Sequence, residues 1–197
     1  AESVKQCVRH GIEIIFHASF ADEEALDMLE AAKDRHFVAP GIAWLINTSY
    51  HAAEWGITPE VAKGMGYHHE LEIACETLKK IYRRGIRILP GGDYGFAWIK
   101  HGTNAKDLEY FVKYLGFTPM EALVAATRYG GEIMMRGREL GQVREGWLAD
   151  LLLVDGDPVA NITVLQDPGR LLAVMKDGRF HKEPELAGQG ARRLSVA

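Results

Sequence analysis

Three short runs of β-branched and apolar residues, Ile12–Phe16, Phe37–Ile46 and Ile86–Leu89, are separated by stretches with helical periodicity. Parallel strands cannot be joined by tight turns, so such alternation predicts a parallel α/β sheet, either doubly wound or curled into a barrel. A complete eight-fold barrel takes about 250 residues. With 197 residues and only three strands of this kind, the chain is too short to be a whole barrel.

The punctuation between the runs is specific. AESVKQCVRHG, with Val4, Cys7 and Val8 on one face, reads as a helix ending at Gly11, and Asp22 caps the helix EEALDMLEAAKD. Residues 47–58 carry turn formers and aromatics and read as an irregular functional loop. Thr58-Pro59-Glu60 starts one long helix that keeps an apolar face up to Gly85. Asn104 caps a helix through Leu115, and Thr118-Pro119-Met120-Glu121 is a capping box with proline at the first helical position. Beyond about residue 140 the pattern changes to short strands: Leu151–Val154, then a hairpin of Leu171–Lys176 and Arg179-Phe180 through Asp177-Gly178. Residues 183–197 lack periodicity and read as a flexible tail.

Composition narrows the partners. The chain is 47% hydrophobic and 25% charged, which excludes a disordered chain, and 23 Lys+Arg against 27 Asp+Glu give a net charge of −4. That balance offers no basic surface for nucleic acid. No apolar run reaches the roughly 20 residues of a membrane span. Cys7 and Cys75 fall in helical segments and form no disulfide framework, so a reducing, cytoplasmic setting is the simpler expectation.

Two residues stand where α/β folds collect their chemistry, at the carboxyl ends of strands. His17 follows the run Ile12–Phe16, and Asp93 follows Ile86–Leu89 in the stretch PGGDYG. A neutral imidazole is a common metal ligand, and a carboxylate can both ligate a cation and accept a proton from activated water. Each also suits an ordinary role, a hydrogen-bonded core histidine or an aspartate capping its own turn, so the pair says more than either residue. His101, on the loop after Asp93, and Tyr50, in the irregular loop, are candidate substrate contacts that are equally compatible with plain surface positions. Adjacent His68 and His69 point about 100° apart on a helix, cannot share one ion, and read as a solvated face. No G-x-S-x-G nucleophile motif or phosphate-binding loop is present.

Four stretches carry a family likeness. GIEIIFHASFADEEALDML (11–29) resembles the sixth barrel strand and following helix of the amidohydrolase superfamily, in its imidazolonepropionase and Xaa-Pro dipeptidase-like branch. RRGIRILPGGDYG (83–95) resembles the eighth strand with its aspartate, except that Gly92 stands where a threonine is usual. HGTNAKDLEYFVKYLGFTPMEALVAAT (101–127) is similar to the helical segment that follows, and LGQVREGWLADLLLVDGDPVANITVLQD (140–167) to the return into a small flanking β-sandwich.

The resemblance implies the C-terminal part of a TIM-like (β/α)8 barrel, about strands six to eight, over residues 1–139, with strands of the β-sandwich over 140–182. It implies a hydrolase that cleaves a C–N bond of a small-molecule substrate with a metal-activated water. His17 would be a ligand, and Asp93 both a ligand and the general base. The divalent metal would be zinc by first choice, with manganese or cobalt as alternatives. Deaminase and lactonase chemistry use the same groups, and a noncatalytic α/β binding or assembly module is the alternative class. The family's first-strand H-x-H pair, fourth-strand lysine and fifth-strand histidine have no counterpart, and no H-x-H occurs anywhere. One histidine and one aspartate fall short of the three protein ligands of a catalytic metal. The expectation is therefore a chain inactive by itself, completed by an upstream half or by homo-oligomerisation, with an unpaired strand edge that favours association.

Overall fold

The computed structural model describes residues 1–184; the tail read over 183–197 lies, but for its first two residues, outside them. Helix α1 (Glu2–Arg9) leads into β1 (Ile14–Phe16), α2 (Glu23–Ala31) and β2 (Phe37–Ala39). These are followed by α3 (Ile42–Tyr50), α4 (Pro59–Gly64), α5 (Tyr67–Arg83) and β3 (Arg87–Ile88). The three strands pair in the order β1-β2-β3, all parallel, with Ile14 opposite Phe37 and Phe37 opposite Arg87. Their carboxyl ends therefore share one rim, and the helices supply the crossovers that parallel pairing requires.

Four parts of the sequence reading are corrected. The apolar run Phe37–Ile46 is not one strand: β2 ends at Ala39, Gly41 turns the chain at φ +62, and α3 begins at Ile42. A continuous apolar run has the same composition in a buried strand and a buried helix, and only the left-handed glycine separates the two. Because α3 runs to Tyr50, the stretch from residue 47 is helical as far as Tyr50, with Asn47, Thr48 and Ser49 buried. The single long helix expected from Pro59 is two, because Gly66 adopts φ +90 between α4 and α5. Asn104 does not cap the next helix, α6 (Lys106–Tyr110), whose N-cap is Ala105; its side chain instead accepts from the Gly102 N–H at 3.2 Å.

Helix α6 continues into a π-helical turn over Phe111–Leu115. Thr118 then starts α7 (Pro119–Ile133) with the reciprocal capping box that T-x-x-E predicts: Glu121 Oε2 accepts from the Thr118 N–H at 2.8 Å. Leu26, Leu29, Ile42, Ile46, Leu78, Ile81, Ile88 and Phe111, from five elements, form the buried core beneath the rim.

The strand β1 is less buried than its apolar sequence suggests. Only Ile15 is fully covered in it, Phe16 is 65% exposed, and Ile12 just before the strand is 49% exposed. Its pairing runs to β2 alone, so its other edge has no partner among the described residues. A second sheet, β4 (Leu151–Val154), β5 (Leu171–Lys176) and β6 (Arg179–Lys182), is antiparallel in the order β4-β5-β6. The β5–β6 hairpin turns through Asp177 and Gly178 at φ +50 and +73, the left-handed pair that suits the twist of a two-residue connection. Leu151, Leu152, Leu153 and Phe180 stay exposed on this sheet.

Candidate active site

The carboxyl-terminal rim of the parallel sheet carries an open cleft of about 340 Å³, lined among others by Phe16, His17, Asp93, Tyr94, His101 and Asn104. The last ladder bond of β1 is made by His17 itself, whose N–H donates to Ala39 O at 2.8 Å. The chain then bends at once, with His17 and Ala18 at φ +66 and +60. On the far side of the cleft Asp93 also lies in the left-handed region, at φ +59. A non-glycine residue there costs roughly 1–2 kcal/mol, and such conformations persist where the surroundings over-determine them, most often at functional sites.

Two glycines make room for these residues. A Cβ on Gly41 would stand 2.7 Å from His17 Nδ1, so the imidazole occupies the space a side chain would fill. A Cβ on Gly92 would meet Tyr94 Cε2 at 2.3 Å and both carboxylate oxygens of Asp107 at 2.7 Å. Gly92, where the family pattern has a threonine, is therefore required by the way Tyr94 and Asp107 close on the loop.

Asp107, on the first turn of α6, is the site residue that sequence reasoning missed. It is 2% exposed and sits beneath the turn that carries Asp93. Desolvation pushes its carboxyl up to about 7, outweighing the opposing pull of the Tyr94 hydroxyl and the Gly92 and Gly91 N–H groups. Those groups face the carboxylate without closing on all of it: Asp107 Oδ1 and Tyr94 Oη are both buried with no hydrogen-bond partner. Burial and the neighbouring carboxylate also raise the Tyr94 phenol, which stays protonated. An aspartate in the first turn of a helix is ordinary dipole and capping chemistry, so nothing in the sequence marked this one as buried.

The structure brings His17, Asp93 and His101 to the same cleft, with His101 packed over the bare α-carbon of Gly95. Tyr50 is not among the residues lining it; it ends α3, exposed, with its ring 5.0 Å from that of His68. His68 is correspondingly half-buried, its Nε2 3.2 Å from Ser49 O, rather than part of a solvated face. Cys7 and Cys75 are both free and partly buried, and burial raises the Cys75 thiol.

Among the described residues no three His, Cys, Asp or Glu side chains converge into a group able to hold a metal ion. His17 and Asp93 present two donor groups at one rim, fewer than a catalytic zinc takes from protein. These residues alone therefore do not fit a complete metal centre. Among the described residues no helix is long and apolar enough to cross a membrane.

Comparison with known proteins places this geometry in context. The amidohydrolase family profile matches residues 1–180. Ochratoxinase of Aspergillus niger is 25% identical over 192 residues, covering 96% of this chain and 38% of that protein. A Xaa-Pro dipeptidase solved with methionine bound in its active site superposes with a TM-score of 0.74 at 28% identity, over 92% of this chain and 43% of that one. A prolidase complexed with N-methylphosphonate-L-proline gives a TM-score of 0.78 at 27% identity, with the same coverage. The chain spans about two fifths of the length of the relatives it matches.

Proposed function

Starting from the fact that the chain belongs to the amidohydrolase family, we propose that it forms part of a metal-dependent hydrolase that cleaves a C–N bond, amide or peptide-like, in a small-molecule substrate. The observation that carries this reading is the meeting of His17 and Asp93 in one cleft at the carboxyl ends of parallel strands, both in left-handed backbone conformations. In this reading β1, β2 and β3 are about the sixth to eighth strands of a (β/α)8 barrel over residues 1–139. The antiparallel sheet then belongs to a small β-sandwich over 140–182.

His17 and Asp93 are then two members of a ligand set for a divalent cation, zinc first, with manganese or cobalt as alternatives. The set is completed by side chains beyond those described, from an upstream half of the same enzyme or a second copy. The exposed edge of β1, with Phe16 and Ile12 uncovered, supports such a partner. When bound, the cation supplies the positive charge that brings water into its reactive form near neutral pH. With a cation held there, Asp93 would be the group that accepts a proton from the attacking water and returns it to the leaving nitrogen. The loop around Gly92 aims the carboxylate, and His101 contacts the substrate from the cleft wall. The printed names of the relatives, a dipeptidase, a prolidase and an ochratoxinase, point to the same reaction class.

The test is elemental analysis of the purified chain, alone and with an amino-terminal barrel half supplied in trans. Stoichiometric zinc or manganese only in the complemented sample, lost in His17→Ala and in Asp93→Ala, is the expected result. A folded, complemented sample without metal overturns the reading.

A further inference from the structure

The turn that carries Asp93 has no backbone ladder of its own. The Leu89 N–H donates to Val38 O at 3.1 Å where β3 ends, and the Gly95 N–H donates to Ile99 O at 2.9 Å where the loop is tied down again. Between these two points, among the described residues, no backbone–backbone hydrogen bond involves residues 90–94. Asp93 nevertheless stands exposed in this span with φ +59. A left-handed backbone at a non-glycine residue relaxes unless its surroundings fix it. Here the fixing groups have to be side chains.

The side chain beneath the turn is Asp107. Gly92 is buried against it, so closely that a Cβ there would stand 2.7 Å from both carboxylate oxygens. The Gly91 and Gly92 N–H groups and the Tyr94 phenol converge on the same carboxylate, so residues on both sides of Asp93 face one group. Asp107 Oδ1 and Tyr94 Oη have no full hydrogen-bond partner, so the hold is shared among these facing groups rather than made by one bond. The carboxylate is itself fixed from below. The Asp107 N–H donates to Asn104 O at 3.1 Å, Leu108 and Tyr110 beside it are buried, and Asn47 Nδ2 on α3 donates to Tyr110 Oη at 3.4 Å. Favourable interaction with the α6 dipole needs only an exposed carboxylate. An apolar side chain would fill the same space without desolvating an ionisable group. Neither ordinary role accounts for an aspartate that is 2% exposed, whereas the groups its oxygens face do.

We propose that Asp107 is a positioning residue of this cleft: it grips the Gly91–Tyr94 turn from below and thereby fixes the Asp93 carboxylate at the rim. The proposal rests on the reading that Asp93 serves the cleft, and it names the group that holds Asp93 there.

The test is NMR of the isotope-labelled full chain without metal or substrate. Amide exchange at Gly91 and Gly92, and the Cα shift and HN–Hα coupling that report φ at Asp93, are compared in Asp107→Ala and Asp107→Asn. In Asp107→Ala exchange at the two glycines rises about tenfold and Asp93 loses its left-handed signature, while the signals of Ile15 and Ile99 stay in place. Asp107→Asn, whose amide oxygen still accepts from the two N–H groups, restores both readings. Should Asp107→Ala not fold, Tyr94→Phe, which keeps the ring and removes the phenol, takes its place with a rise of about threefold. An unchanged Asp93 signature in the folded variant overturns the proposal. So does equal loss in Asp107→Asn and Asp107→Ala, or a change spread evenly to Ile15 and Ile99, which marks a purely structural role. Because no metal enters the measurement, a negative result removes the positioning role and leaves the hydrolase reading to elemental analysis. A complemented protein that takes up no metal refutes the hydrolase reading and leaves the grip of Asp107 on the turn standing.

Discussion

Replacing Asp107 by asparagine keeps the shape of a side chain that is 2% exposed and removes its ability to ionise. In the folded protein the carboxyl titrates at about 7 against an ordinary 3.8, with desolvation the first cause. Below 3.8 the folded and unfolded chains both hold this proton and the group contributes no pH dependence. Between 3.8 and about 7 the unfolded chain releases the proton while the folded chain retains it, so stability falls as pH rises. Above about 7 both forms are ionised and a constant penalty remains. At 1.36 kcal/mol per pH unit the loss across this window amounts to about 4 kcal/mol as an upper bound. Asp107→Asn lacks this slope, and its amide oxygen can still accept from the Gly91 and Gly92 N–H groups that face the carboxylate. Urea unfolding of both proteins from about pH 4 to about pH 8 measures the difference, in which all other titrating groups cancel. The expected difference curve falls by up to about 4 kcal/mol on rising pH and then flattens, leaving the variant the more stable protein at the alkaline end relative to its standing in acid. Parallel curves would refute the assignment of a buried, desolvated carboxyl.

Gly92→Ala drives a Cβ to within 2.3 Å of Tyr94 and 2.7 Å of Asp107; a loss of about 1–3 kcal/mol in urea unfolding is expected. Gly41→Ala puts a side chain at φ +62 and onto the His17 ring; a loss of about 1–3 kcal/mol is expected, with a displaced His17 imidazole resonance in NMR. Thr118→Ala removes the side-chain half of the α7 capping box, lowering stability by about 1 kcal/mol in the same assay.

Much of the local structure was legible because it depends on neighbours along the chain. The α7 capping box, the Asp22 cap and the Asp177-Gly178 hairpin are written in a few adjacent residues whose hydrogen-bonding options are limited. The alternation of strand and helix identified the parallel sheet for the same reason. Reading failed where one composition serves two structures. Phe37–Ile46 is apolar whether it is a strand or a buried helix, and the break at Gly66 lay hidden inside an otherwise helical pattern. The loop read around Tyr50 proved to be the end of α3, since a buried helix can carry Asn47, Thr48 and Ser49 where tertiary neighbours cover them.

For the site, the sequence by itself determined that His17 and Asp93 follow strands, because strand ends are marked by local pattern, and that no basic or nucleophilic motif competes with them. Only the tertiary structure decided that the two residues share a cleft with His101, that both adopt left-handed backbones, and that Tyr50 lies elsewhere. Only it showed Asp107 sealed beneath the Asp93 turn and the rings of Trp44, Trp55, Phe96 and Trp98 gathered into one cluster. Propensity and capping act over a few residues and are encoded locally. Burial, desolvation and ring stacking join residues tens of positions apart, and they exist only once the sheet has brought its carboxyl ends to one side.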